Sequence, residues 1–184
     1  MIAYAITNPS TLDFNRLKDD LERFSTMASM IVYRDKYTNA YEKNATLFLE
    51  HAKGFAKVLL HGDYKLAVKL QADGVHLPST SLDCIADAKN LGLYVVVSTH
   101  TMEEAQVAQN YGADMITFSP VFDTPNKGKS VGIEKLKEIV LSVSMPVLGL
   151  GGILTQEEIG SCAKVGAKGF ASIRYFERNF LSSL

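Results

Sequence analysis

Hydrophobic residues occur along the chain in eight short runs, and each run is followed by a polar or amphipathic stretch. The runs are mostly continuous rather than alternating, which is typical of parallel strands that are buried on both faces. We therefore predict eight strands with a helix or long loop after each. The predicted strands are Ile2–Ile6, Ser29–Arg34, Ala56–Leu60, Gly74–Leu77, Leu93–Ser98, Met115–Phe118, Pro146–Leu150 and Gly169–Ile173.

The intervening segments carry the apolar spacing and the end signals of helices. In Asp13–Phe24, apolar residues recur at helical spacing and predict an amphipathic helix. Candidate N-cap residues precede four of the helical patterns: Thr38, Ser81, Thr101 and Thr155. Glu104 and Glu158 stand three residues after the last two of these, which is the offset of a capping box.

Eight strand–helix units in one chain favour an α/β fold of the closed (β/α)8 kind, a TIM barrel. The chain has 184 residues, whereas this fold usually takes about 250, so the loops must be short. We predict a single barrel domain over residues 1–184. A doubly wound open sheet is the alternative.

Composition narrows the function classes. The chain is 47% hydrophobic and 21% charged, which is ordinary for one globular domain, and its net charge of −1 gives no general attraction to nucleic acid. Cys84 and Cys162 lack the spacing of a zinc site or a disulfide framework. No apolar run approaches the length of about 20 residues that crosses a membrane. We expect a cytoplasmic protein that binds neither nucleic acid nor membrane; a homo-oligomer stays open.

Polar residues follow the strands at the end where a barrel carries its active site. Arg34 and Lys36 follow the second strand and suit an anionic group, although a solvated ion-paired loop is equally open. The connection Ser119–Gly132 after the sixth strand is long, and long loops in compact domains tend to be functional.

Two further loops predict a phosphate site. Gly151 and Gly152 follow the seventh strand and lead into a helix start, where backbone N–H groups can close on an anion. Ile173 and Arg174 follow the eighth strand, and the loops after strands 7 and 8 commonly bind phosphate in this fold. A simple tight turn is the alternative.

Six motifs stand in order between residues 3 and 174. They are Tyr4-Ala-Ile-Thr, Tyr33-Arg-Asp-Lys, Ala72-Asp-Gly-Val-His-Leu, Ser98-Thr-His-Thr-Met-Glu-Glu-Ala, Ser119-Pro-Val-Phe-Asp-Thr with Lys127, and Gly149-Leu-Gly-Gly-Ile. Together they resemble the thiamine phosphate synthase / TenI superfamily. The resemblance implies a (β/α)8 barrel that binds the phosphorylated thiazole of thiamine biosynthesis at its C-terminal face.

The chain departs from the synthase pattern where the resemblance implies a magnesium site. The synthases couple a pyrimidine pyrophosphate to thiazole phosphate with Mg²⁺. Val32 stands where they have glutamine, His61 and Gly62 where they have Asn-Asp, and the run Pro78–Ser81 where they have Gly-Gln-x-Asp. Asp63 or Asp83 would reach the site only with a shifted backbone. We therefore predict no metal site and no cofactor, with Mg²⁺ required only if the protein is a synthase.

The thiazole half of the pattern is retained. The resemblance places Ser98, Thr124, Lys127, Gly151 and Gly152 against the thiazole, its carboxylate or its phosphate. Two residues differ from the family there, since Asn126 replaces a hydroxyl residue and Arg174 replaces a small one. We favour Arg174 as a residue that strengthens a phosphate site, and the alternative is that it is simply the first cation of the last helix.

A retained thiazole pocket without the metal pair is similar to the TenI branch, whose members are thiazole tautomerases. These enzymes move a proton to make the thiazole aromatic, and a histidine suits that task. Pro120 stands where the characterised tautomerases have their histidine. The candidate catalytic residues are His61, His100 and Lys36. If His61 is the base, its charge state should shape a pH–rate profile near neutrality, because an unperturbed imidazole titrates at roughly pH 6.5. The alternative is that His61 only fills the space that the metal and pyrophosphate occupy in a synthase. For His76 and His100, two interpretations stay equally open: a group that orients its neighbours in the barrel by hydrogen bonding, or a base.

Three functions stay open at this point. The preferred hypothesis is a tautomerase acting on a thiazole phosphate carboxylate. The alternatives are a divergent thiamine phosphate synthase and a non-catalytic binder of thiazole phosphate or thiamine phosphate.

Overall fold

The strands close into a parallel barrel. The computed structural model describes residues 1–125 and 129–177. Each strand pairs in parallel with the next one along the chain, and the first pairs with the last, where Tyr4 lies opposite Ala171. The predicted (β/α)8 barrel is confirmed, and the open-sheet alternative is wrong.

The eight strands match the predicted runs to within one residue at either end. The third and fifth strands each shift by one residue, and the third therefore ends at His61 rather than Leu60, which carries that histidine to the end of the barrel. The strands are β1 (Ile2–Ile6), β2 (Met30–Tyr33), β3 (Lys57–His61), β4 (Gly74–Leu77), β5 (Tyr94–Thr99), β6 (Met115–Phe118), β7 (Val147–Leu150) and β8 (Gly169–Ser172).

Seven α-helices are found among the described residues. They are α1 (Leu17–Ser25), α2 (Tyr41–His51), α3 (Tyr64–Lys69), α4 (Ile85–Asn90), α5 (Met102–Asn110), α6 (Gly132–Ser142) and α7 (Gln156–Lys164). Three short 3₁₀ turns, at Phe14–Arg16, Ser79–Cys84 and Arg174–Phe176, complete the loops. Within ranges 1–125 and 129–177, no helix has both the length and the apolar composition for a membrane span.

Helix starts were predicted with mixed success. Thr101 and Thr155 each form the predicted capping box, with the hydroxyl accepting from the N–H three residues on. Thr38 is not a cap, because α2 begins at Tyr41 and the Thr38 hydroxyl instead accepts from the N–H of Ala40 in the preceding turn. Ser81 is not a cap either, since it lies at a kink within a 3₁₀ segment.

The predicted helix over residues 13–24 is divided in two. Asp13 accepts from the N–H of Asn15 and starts a 3₁₀ turn, after which α1 runs from Leu17. Aspartate side chains accept hydrogen bonds from nearby backbone N–H groups, and this local bond competes with a continuous helix.

Alternation along the strands separates two apolar layers. One layer fills the barrel, and the other lies between the strands and the surrounding helices. Toward the C-terminal ends of the strands, the inward-facing residues change from apolar to polar. In β3 the inward-facing residue after Leu59 is His61, and in β5 the inward-facing residue after Val96 is Ser98. The fold therefore directs its polar side chains to one mouth of the barrel. The residues of the inner layer are Tyr4, Ile6, Met30, Val32, Leu59, Val96, Met115, Leu148 and Ala171.

Candidate functional site

A cavity of about 630 Å³ occupies the C-terminal mouth of the barrel. Its size lies within the usual range for small-molecule sites. The structure brings most of the predicted site residues to its wall: Arg34, Lys36, His61, Ser98, His100, Thr124, Gly151, Gly152, Ile173 and Arg174. Asn126 and Lys127, which were also predicted, lie outside the described residues.

Basic side chains dominate the charge at the cavity wall. Arg34, Lys36, Lys129 and Arg174 line it, whereas Glu177 is the one carboxylate there within the described ranges. Burial is the main cause that lowers the pKa of the Arg34 guanidinium from its ordinary value, but an arginine stays charged in proteins. The cavity is therefore suited to a ligand with several negative charges.

The two glycines after β7, Gly151 and Gly152, have no room for a side chain, whether or not an anion binds there. Both have positive φ, and a Cβ added to Gly151 would lie 2.8 Å from Cα of Pro120. A Cβ on Gly152 would lie 2.6 Å from the carbonyl oxygen of Asp123. The loop after β6 is also bonded to this segment, since the N–H of Phe122 donates to the carbonyl of Gly151. These glycines therefore fix one wall of the cavity.

Ser172 joins the loops after β7 and β8. Its hydroxyl donates to the carbonyl of Ile153 at 3.0 Å and accepts from the N–H of Tyr175 at 3.1 Å. This contact holds Ile173 and Arg174 beside the glycine pair, as the prediction of a shared site requires. The role of these loops in binding phosphate stays a prediction.

His61 ends β3 and faces the cavity. The hydroxyl of Tyr41 accepts from its N–H at 3.1 Å and donates to the carbonyl of Tyr33, which ties the strand end to α2. Burial, with Arg34 and Lys36 nearby, lowers the pKa of His61 to about 4. A base at this position would therefore titrate below neutrality rather than near pH 6.5, because the cavity disfavours the charged form of the ring. At neutral pH it is an uncharged and weakly basic imidazole.

His100 is held in one tautomer. Its Nδ1 lies 2.9 Å from the carbonyl oxygen of Ser119. Because a carbonyl only accepts, Nδ1 carries the hydrogen and Nε2 keeps its lone pair. This exposed histidine at the cavity wall is thus a geometric candidate for a proton acceptor.

A buried polar chain below the cavity was not predicted from the sequence. The hydroxyl of Tyr4 lies 2.9 Å from Nδ1 of His76, and Nε2 of His76 lies 2.8 Å from Oγ of Ser98. One sign of this chain was available in the sequence. Tyr4 alternates with Ile2 and Ile6 along the first strand, so its polar ring shares their inward-facing side. The quoted motifs contained all three residues, but spacing does not reveal that three strands bring them together.

The residues at the cavity do not fit the magnesium site that the resemblance implies. Within ranges 1–125 and 129–177, no group of three or more His, Cys, Asp or Glu side chains is arranged to hold a metal ion. Asp63 caps α3 by accepting from the N–H of Leu66, and neither it nor Asp83 lines the cavity. Magnesium prefers charged oxygen ligands, and the described residues of the cavity wall do not supply such a set.

Comparison with known proteins identifies the family. A family model described as thiamine monophosphate synthase matches residues 3–176, almost the whole chain.

Relatives with curated names are similar to this chain over different lengths. A protein named putative thiamine-phosphate synthase 2, from Aquifex aeolicus, is 40% identical over 124 residues. That match spans 66% of this chain and 66% of the relative, just under two thirds. A thiamine-phosphate synthase from Methanosarcina barkeri is 28% identical over 92% of this chain and 80% of its own length. These names support a synthase, the alternative hypothesis, better than the preferred tautomerase.

A solved structure supports the fold. Thiamine phosphate pyrophosphorylase from Pyrococcus furiosus superposes with a TM-score of 0.80 at 24% identity, over 99% of this chain and 96% of that one.

Proposed function

The chain belongs to the thiamine monophosphate synthase family, and we propose that it is a thiamine-phosphate synthase. In this proposal it joins a phosphorylated thiazole to a pyrimidine diphosphate within the cavity. The observation that carries the proposal is the convergence of four basic side chains and the loops after β6, β7 and β8 on one cavity of about 630 Å³. The names of the relatives support the same reaction.

The reaction places most of its charge change on the diphosphate. The bond from the pyrimidine methylene carbon to the diphosphate oxygen breaks, and the oxygen leaves with the electron pair. The thiazole nitrogen then supplies its lone pair to that carbon. Donors fixed where negative charge develops stabilise such a step.

The basic residues suit the two anions differently. In the proposed arrangement Arg34 and Lys36, which follow β2, face the departing diphosphate, where a guanidinium can bind two oxygens at once. In the same arrangement Arg174 and the segment Gly151–Gly152 face the thiazole phosphate. His61, uncharged at neutral pH, leaves the net positive charge of the wall to the lysines and arginines.

A tautomerase is the second candidate, and two observations favour it. The described residues lack the carboxylates that would hold magnesium. His100 also presents an Nε2 lone pair at the cavity wall, because its Nδ1–H is engaged by Ser119. In this function His100 would take the proton that moves when a thiazole phosphate carboxylate becomes aromatic, as general bases do.

One set of incubations separates the candidates. Purified protein receives the pyrimidine diphosphate and thiazole phosphate, in one sample with Mg²⁺ and in another without it, and ³¹P NMR follows pyrophosphate and thiamine phosphate. A parallel sample receives the non-aromatic thiazole phosphate carboxylate, and ¹H NMR follows its isomerisation. A synthase releases pyrophosphate and thiamine phosphate in equal amounts. Isomerisation without coupling identifies a tautomerase, and tight binding with neither reaction identifies a non-catalytic binder.

Matched variants assign the reaction to this cavity. Arg34→Gln should lower turnover by about 100-fold, since it removes a donor to developing charge. Arg16→Gln is the control, because Arg16 is an arginine outside the cavity whose partner is the exposed Asp13. Equal turnover in the two variants would contradict the proposed site.

A further inference from the structure

Three strands contribute to a hydrogen-bonded chain inside the barrel. The Tyr4 hydroxyl of β1 lies 2.9 Å from Nδ1 of His76 on β4, whose Nε2 lies 2.8 Å from Oγ of Ser98 on β5. Tyr4 and His76 are 0% and 1% exposed, and their rings stack at 5.6 Å. Ser98 and His76 line the cavity, whereas Tyr4 does not. The chain thus leads from the apolar interior to the ligand site.

Burial keeps both inner members uncharged. It lowers the pKa of His76 to about 3 and raises the pKa of Tyr4 above its ordinary value. A neutral imidazole has one N–H donor and one lone pair, and a neutral phenol has one hydrogen to donate. The chain therefore runs in one of two directions, from Tyr4 to Ser98 or from Ser98 to Tyr4.

The surroundings of Tyr4 select the direction. If Nδ1 of His76 carried the hydrogen and donated to Tyr4, the phenol hydrogen would need a second acceptor. Within residues 1–125 and 129–177, Nδ1 of His76 is the one hydrogen-bond partner of that hydroxyl. A buried donor without an acceptor is unfavourable. Tyr4 therefore donates to Nδ1, and Nε2–H donates to Ser98.

This direction determines what Ser98 offers to the cavity. Its oxygen accepts from His76, so its own hydrogen is available to another group. Among the described residues, the Ser98 side chain has His76 as its one hydrogen-bond partner. We propose that Tyr4 and His76 are positioning residues that hold the Ser98 hydroxyl as a hydrogen-bond donor to an acceptor atom of the ligand. The proposal rests on the proposed function only for the identity of that ligand.

The chemistry selects a class of ligand atom. A hydroxyl held as a donor favours an oxygen of a carboxylate or phosphate, or an unprotonated ring nitrogen, over an N–H group. An anionic oxygen also agrees with the basic wall formed by Arg34, Lys36, Lys129 and Arg174. Tyr4 and His76 touch no ligand in this arrangement and act only through Ser98.

The tautomer of His76 tests the proposal without any ligand. The chain has four histidines, so long-range ¹H–¹⁵N spectra of ¹⁵N-histidine protein can be assigned by elimination with His51→Gln, His61→Asn and His100→Gln. We expect His76 as the Nε2–H tautomer, unchanged from pH 5 to 8. In Tyr4→Phe the phenol that selects this tautomer is absent, so the preference for Nε2–H should weaken. An Nδ1–H tautomer in the unmodified protein would overturn the proposal.

A double-mutant cycle tests the action on the ligand. Calorimetric Kd values for thiazole phosphate are compared for the unmodified protein, Tyr4→Phe, Ser98→Ala and the double variant. Ser98→Ala should raise Kd by about 10-fold and Tyr4→Phe by a smaller factor. Tyr4→Phe should then have no effect in the Ser98→Ala background, because coupled residues are not additive. An equal effect in both backgrounds would overturn the proposal and indicate a purely structural Tyr4.

Two controls keep the outcomes distinct. Tyr94→Phe makes the same chemical change at a half-buried tyrosine that packs against the inner layer. Among the described residues, the hydrogen bonds of the His76 ring go to Tyr4 and Ser98 rather than to Tyr94, so this variant should leave Kd unchanged. If the unmodified protein does not bind thiazole phosphate, the proposed function fails, while the His76 tautomer still decides the positioning proposal.

Discussion

The low pKa of His61 makes the stability of the fold depend on pH in a defined window. Its pKa is about 4 in the folded protein, against 6.5 for a free imidazole. Between these two values the unfolded chain binds a proton that the folded chain excludes, so protonation favours unfolding. The contribution of this site is therefore fully present above pH 6.5, is lost as the pH falls toward 4, and changes no further below that.

The size of the effect follows from the shift. One pKa unit corresponds to 1.36 kcal/mol, so the shift of His61 corresponds to roughly 3 kcal/mol in full and about 2 kcal/mol by pH 5. We expect the unmodified protein to lose about 2 kcal/mol more stability than His61→Asn between pH 7.5 and 5. His76 also has a lowered pKa, mainly because of its burial. It is present in both proteins, so most of its contribution cancels, and only the part due to the His61 charge differs between them.

Urea unfolding at a series of pH values measures this difference. NMR titration of the His61 ring gives the folded pKa directly. Lys36→Gln, which removes one of the charges that lower this pKa, should move the midpoint upward. Parallel stability curves for His61→Asn and the unmodified protein, or a His61 midpoint near 6.5, would refute the reasoning.

Two further predictions concern packing and metal. Gly74→Ala should destabilise the barrel by about 3 kcal/mol or more, measured by urea unfolding, because its Cβ would lie 2.1 Å from the carbonyl oxygen of Tyr94. Gly160→Ala, in α7 with nothing near the added Cβ, is the matched control and should stabilise by about 0.5–1 kcal/mol; equal effects would contradict the packing argument. Millimolar Mg²⁺ should leave the melting temperature unchanged with or without pyrophosphate, because the described residues form no carboxylate cluster; a clear rise would show that a metal site exists.

The fold was predictable because a parallel barrel repeats one local pattern. Buried strands such as Met30–Tyr33 are continuous apolar runs, and the capping boxes at Thr101 and Thr155 use only neighbouring residues. Thr38 failed as a cap because the same hydroxyl also satisfies a turn two residues on. Local chemistry alone does not distinguish these two uses.

The candidate site was predictable as a list of residues but not as an electrostatic environment. Strand ends meet at one mouth of a barrel, so Arg34 and Gly151 were expected to converge. The lowered pKa of His61 depends on how deeply the ring is buried and on charges brought from another strand. Likewise, the link from Tyr4 to Ser98 joins residues 94 positions apart through a third residue, and sequence spacing carries no sign of it.

The central claim is that the barrel mouth binds a phosphorylated thiazole. Calorimetric titration of thiazole phosphate tests it most directly, in the unmodified protein, in Gly152→Ala and in the control Gly160→Ala. The account predicts one site per chain in the unmodified protein and in the control. It also predicts at least 10-fold weaker binding in Gly152→Ala, since an added Cβ meets Asp123 at 2.6 Å and displaces the cavity wall. No binding by the unmodified protein, or equal binding by all three, would contradict it.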